Sequence, residues 1–127
     1  MTDNARPKTA GEGLRRERER SKAYDEAFRA AVKTRWNDLI RARRDTAASH
    51  KGKVVLQFRL HSDGRITDMW VIENTSGEVM GVLCQKAVLD PAPYERWPRE
   101  VLQWVGAASR VIKLTFYYGD DIQALRP

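Results

Sequence analysis

The sequence predicts a small α+β sandwich: a three-stranded antiparallel sheet with helices on one face. Three observations predict it. From Gly52 to His61, Val54, Leu56, Phe58 and Leu60 alternate with Val55, Gln57, Arg59 and His61, the period-two pattern of a half-buried strand. Upstream, Tyr24, Phe28, Val32 and Trp36 fall four residues apart, the spacing of one helix face. Near the end, Ile112, Leu114, Phe116 and Tyr118 alternate with Val111, Lys113, Thr115 and Tyr117, which predicts a third strand.

In chain order, residues 1–13 are polar, with Pro7, Gly11 and Gly13, and are expected to form a disordered leader. A helix is expected over 14–45. Its first part, LRRERERSK, is nearly all charge, and it is amphipathic from about Tyr24 to Ile40. The folded domain is then expected to occupy 46–118, beginning with a polar linker. Asp63-Gly64 supplies a hairpin turn of the primed kind that matches strand twist. The returning arm, Thr67 to Asn74, carries large apolar groups on both faces. Either its second face is covered, or a bulge near Thr67-Asp68 resets the register.

Thr75 and Glu78 fit a capping box for a helix with Val79, Val82, Leu83 and Ala87 on one face, ending at Asp90-Pro91. A loop with Pro91, Pro93, Tyr94 and Trp97 follows, and Pro98 opens a short helix closed by Gly106. The cleanest alternation places the first strand centrally, between its hairpin partner and Arg110–Tyr118. The tail, 119–127, is expected to be loose.

The chain of 127 residues suits one small domain with an appendage, and its net charge of +6 favours anionic partners. A single cysteine, Cys84, excludes an internal disulfide. No stretch approaches the ~20 apolar residues of a membrane-spanning helix. His50 and His61 lack acidic or cysteine partners at metal-ligand spacing, and no nucleophile elbow or phosphate loop is present. The expectation is therefore no catalytic residue, no metal and no cofactor. Arg15, Arg16, Arg18, Arg20 and Lys22 are candidates for contact with an anionic surface. Glu17 and Glu19 interrupt them and no aromatic is interleaved for base stacking, so nucleic acid is disfavoured. Trp36 and Trp97 read as core, whereas Trp70 fits either packing beneath the first helix or an interaction surface.

Taken together, several motifs resemble the C-terminal domain of the TonB/TolA superfamily. They are G-x-V-x-x-x-F at Gly52–Phe58, DGRI at Asp63–Ile66 and SG at Ser76-Gly77, with KAV at Lys86–Val88, Trp97-Pro98 and the closing LTFYY. The resemblance spans roughly Tyr24 to Tyr118. It implies a non-enzymatic periplasmic domain that couples an inner-membrane proton-driven motor to TonB-dependent outer-membrane receptors. An extended receptor segment, the TonB box, would add as a strand to the exposed final strand. Carried over by position, the pairing edge is Arg110, Val111, Ile112, Lys113, Leu114, Thr115, Phe116, Tyr117 and Tyr118. TonB transducers carry an N-terminal anchor and a proline-rich spacer, and this sequence shows neither. With an upstream anchor the expectation is a domain tethered to the inner membrane. Without one it is a stand-alone periplasmic or cytoplasmic adaptor of the same fold, its basic helix on an anionic surface. A homodimer fits either case.

Overall fold

A computed structural model describes residues 10–43, 51–118 and 123–126. Residues 1–9, most of the expected linker, and 119–122 and 127 of the tail lie outside them. The elements are α1 (Ala10–Ala42), β1 (Gly52–His61), β2 (Ile66–Asn74), α2 (Glu78–Leu89), α3 (Arg99–Val105), β3 (Ser109–Tyr118) and β4 (Gln123–Arg126). The expected α+β architecture is present, with β1 between β2 and β3 in an antiparallel sheet. Two boundaries differ. Helix α1 starts at Ala10, inside the expected leader. The tail is not loose throughout, because Gln123–Arg126 pairs with Thr115–Tyr118 and makes a fourth strand, giving the order β2-β1-β3-β4.

The core lies between the sheet and the helices. Tyr24, Phe28, Val32 and Trp36 of α1 meet Val54, Leu56, Phe58 and Leu60 of β1 and Leu114, Phe116 and Tyr118 of β3. Burying those apolar faces drives the assembly. The aromatic contacts are specific. The Trp36 ring stands edge-on to Phe116 and Tyr118 at 5.1 and 5.2 Å between centroids, and its Nε1 donates to the Tyr118 hydroxyl at 2.5 Å. That hydroxyl also touches Cys84 Sγ at 3.0 Å, so α1, β3 and α2 meet at one buried polar point. Tyr24 and Tyr94 donate their hydroxyl protons to the carbonyls of Glu95 and Val88, satisfying the polar ends of rings whose bodies are apolar.

Local details depart from the sequence reading for physical reasons. Strand β2 contains the expected irregularity near Asp68, whose φ is 55°. Gln57 pairs with Trp70 while Arg59 pairs with Thr67, and a second extra residue, Ile72, separates the partners of Val55 and Leu56. Each bulge breaks the alternation, which explains the unclean pattern. Trp70 does not pack beneath α1; it is 66% exposed, with Val71 and Ile72 beside it at 40% and 48%.

The hairpin turn is not of the primed kind. Gly64 N donates to the His61 carbonyl and His61 N to the Arg65 carbonyl, with left-handed φ only at Gly64 (91°) and not at Asp63. This is a three-residue loop closed by a glycine bulge. Asp63 braces it by accepting from the Arg65 amide at 3.1 Å and its Nε at 2.8 Å. The arginine contacts hold its carboxyl below the usual carboxylate range.

The capping box does not form. Thr75 Oγ1 instead accepts from the Lys53 amide, and Asn74 Oδ1 takes the amides of Ser76 and Gly77, so α2 starts later than a Thr75 cap requires. Its inner stripe is Met80, Leu83, Cys84, Ala87 and Val88, while Val79 and Val82 face solvent. Pro98 is the cap of α3 rather than its first residue, and Gly106 closes that helix in the left-handed region.

Three outcomes follow from this packing. A side-chain carbon at Gly64 would lie 1.9 Å from the Tyr94 carbonyl oxygen on a backbone with φ of 91°. Gly64→Ala should therefore cost more than about 2 kcal/mol in urea unfolding. Trp70→Ala, by contrast, should change stability by less than about 0.5 kcal/mol in the same assay.

The third outcome concerns alkaline pH. Burial pushes Tyr24 and Cys84 up to about 12 from ordinary values of 10.0 and 9.0, and pushes Tyr94 and Tyr118 up as well. The folded state holds these protons more tightly than the unfolded one. The stability they contribute is complete below the unfolded values and is lost as pH climbs towards the folded ones. The urea midpoint should therefore be lower at about pH 10.5 than at about pH 8.

Candidate functional site

The sheet has two outer rims, and they differ in regularity. Along β2 the two bulges break the even spacing of backbone donors and acceptors, a common way of making a rim a poor template. β3 pairs with β1 in unbroken register, from Gly52 opposite Tyr118 to His61 opposite Ser109, so its far side is evenly spaced too. Ser62 N donates to the Ala108 carbonyl at 2.7 Å. Backbone groups of successive strand residues point alternately to either side. The NH and CO of Arg110, Ile112 and Leu114 therefore face β1, and those of Val111 and Lys113 face outwards.

Only part of that outer side is open. β4 occupies it from Thr115 to Tyr118. The expected pairing edge, Arg110–Tyr118, is narrowed accordingly: on the outer side Thr115, Phe116, Tyr117 and Tyr118 already pair with β4, whereas Arg110, Val111, Ile112, Lys113 and Leu114 have no outer partner strand among the described residues. Beside the open stretch runs a groove of about 230 Å³, walled by Asp25, Phe28 and Arg29 of α1 and by residues 110–114 of β3. An extended chain laid along it would present alternate side chains to two environments. One set would face Phe28, Ile112 and Leu114 on the helix side. The other would lie beside Val111, which is 53% exposed, and Lys113 on the uncovered face.

The end of the groove is fixed by charge. Arg110 Nη2 donates to Asp25 Oδ1, and its guanidinium lies 5.9 Å from the centre of the Trp97 ring, within cation–π range. This contact ties β3 to α1 across 85 residues of sequence, so no local pattern announces it. The α1 wall is the part of the site that sequence reasoning missed; neither Asp25 nor Arg29 is singled out by the sequence pattern. The other candidates, Arg15, Arg16, Arg18, Arg20 and Lys22, are all exposed on turns of α1 that precede its first core hydrophobic residue, Tyr24. They do not line the groove.

Among the described residues no helix is long and apolar enough to cross a membrane, and no three His, Cys, Asp or Glu side chains gather at metal-binding distance. In comparisons with known proteins, no family model, no curated protein and no solved structure matches this chain.

Proposed function

We propose that the chain is a peptide-binding module that works by strand addition. An extended segment of a partner protein pairs with Val111 and Lys113 and seats alternate side chains in the groove against α1. The observation that carries this reading is the open, regular outer side of β3 next to a walled groove. Backbone pairing supplies sequence-tolerant affinity, and the groove supplies selectivity.

The motifs resembling the TonB C-terminal domain extend the proposal. The partner is then the TonB box of an outer-membrane receptor. The role is to pass work from an inner-membrane proton-driven motor to transport, from a periplasmic position tethered through an upstream anchor. A strand ladder suits that role, because its hydrogen bonds share a pulling load. It also places no demand on catalytic groups.

The test is an NMR titration of the full chain with a synthetic peptide from the plug region of a TonB-dependent receptor. The amides of Val111 and Lys113 should shift, and those of Trp70–Ile72 should not. Val111→Pro removes an outward donor without touching the β1 ladder, a placement proline tolerates on an edge strand. It should abolish the shifts at the other edge residues while leaving the fold's circular dichroism unchanged. Shifts confined to β2, or binding undiminished in Val111→Pro, would overturn the proposal.

A further inference from the structure

Two features of the helical layer serve neither the core nor the groove. The first is charge. Arg15, Arg16, Arg18, Arg20 and Lys22 are all exposed, and among the described residues none of them forms an ion pair. Several cations nearer the sheet are paired instead: Lys53 meets Glu73, Arg59 meets Asp68 and Arg110 meets Asp25. Arg15, Arg18 and Lys22 recur at three and four residues, which stacks them along one side of α1. Arg16 and Arg20 stand four apart on another side. Of the two acids between these cations, Glu17 is half-buried and only Glu19 is exposed. The second feature is apolar surface. α3 packs against α1 and buries Val101, yet it leaves Leu102 42% and Trp104 45% exposed. Arg99, its first residue, is exposed and also outside every ion pair among the described residues.

We infer that this end of the helical layer docks on an anionic bilayer surface. The early turns of α1 meet the lipid phosphates, and Trp104 and Leu102 of α3 settle at the headgroup boundary. The pairing of charge with exposed apolar groups chooses the lipid among polyanions. Anionic headgroups attract basic segments across about a Debye length. An indole rests at the boundary because its ring is apolar and its N–H is polar. A nucleic-acid strand calls for aromatics interleaved with the cations as stacking platforms, and the exposed indole stands on a different helix. The contact is peripheral: little apolar area is offered, so charge carries most of the affinity. Neither Val111 nor Lys113 takes part, so this inference stands or falls apart from the strand-addition reading.

The test floats the full chain with vesicles of phosphatidylcholine alone and with vesicles rich in phosphatidylglycerol. Binding is expected on the anionic vesicles at low salt, and its loss at about 1 M salt, where the Debye length is about 3 Å. Each exposed cation is worth roughly 5-fold at such a surface, so Arg15→Gln combined with Arg18→Gln should weaken binding roughly 10- to 30-fold. The melting temperature should not change. In Trp70→Phe protein, Trp104 is the one exposed tryptophan, because Trp36 and Trp97 are buried. Its emission should shift to the blue on the anionic vesicles. Equal binding to both kinds of vesicle, binding to neither, or binding undiminished in the double variant would overturn the inference. So would a Trp104 emission that stays unchanged on bound protein. A gel shift with single-stranded DNA at the same low salt, without vesicle binding, would assign the cations to nucleic acid, and the inference fails.

Discussion

The structure depends on a one-sided burial. Helix α1 lays Tyr24, Phe28, Val32 and Trp36 across β1 and β3, and Trp36 reaches the hydroxyl of Tyr118 at the end of β3. Fully buried aromatic groups of this size account for a large share of a small domain's stability. The helices take up one face of the sheet, and no helix among the described residues covers the other. β3 is therefore held firmly from within while its uncovered face and outer backbone remain accessible. A binding edge needs that combination: a rigid template with unspent hydrogen-bonding groups. The Asp25–Arg110 pair adds a second tie between the groove wall and the strand at the far end.

The two rims of the sheet are managed differently. β2 exposes Trp70, Val71 and Ile72, a run that would invite pairing if it were flat. Its two bulges interrupt the ladder spacing, and irregular edges resist unplanned strand addition. β3 has no interruption against β1, and β4 covers one part of its outer side. The division leaves a short docking length on β3, enough for a few outward backbone groups and too short to act as an open-ended template. In the proposed strand addition, an extended partner would gain its specificity from the α1 wall rather than from length.

Much of this was legible in the sequence. The β1 alternation placed that strand in the centre and named its buried face, and the four-residue spacing of Tyr24, Phe28, Val32 and Trp36 named the covering stripe of α1. What escaped was set by contacts remote in the chain or by too little length. Four residues, Gln123–Arg126, cannot display a period of two with any force, so β4 was invisible. Thr75 matched a helix cap, but its hydroxyl was claimed by Lys53 of β1, a partner 22 residues away. On the inner face of α2, Leu83 and Ala87 are buried as expected, whereas Val79 and Val82 are exposed and Met80 and Cys84 take the places beside them. Of the candidate site, the strand was readable and its helical wall was not. Asp25 and Arg29 carry no local signal that β3 lies beside them.

The sealed tip of the hairpin has a practical corollary. Tyr94 N donates to the Gly64 carbonyl at 2.8 Å and Trp97 N to the Ser62 carbonyl at 2.9 Å, so the proline loop is stitched onto the turn. Hairpin ends are ordinarily where a chain accepts extra residues with least disturbance. In this molecule an epitope or fluorescent label grafted between Ser62 and Arg65 would pry the loop away and loosen Trp97 beneath it.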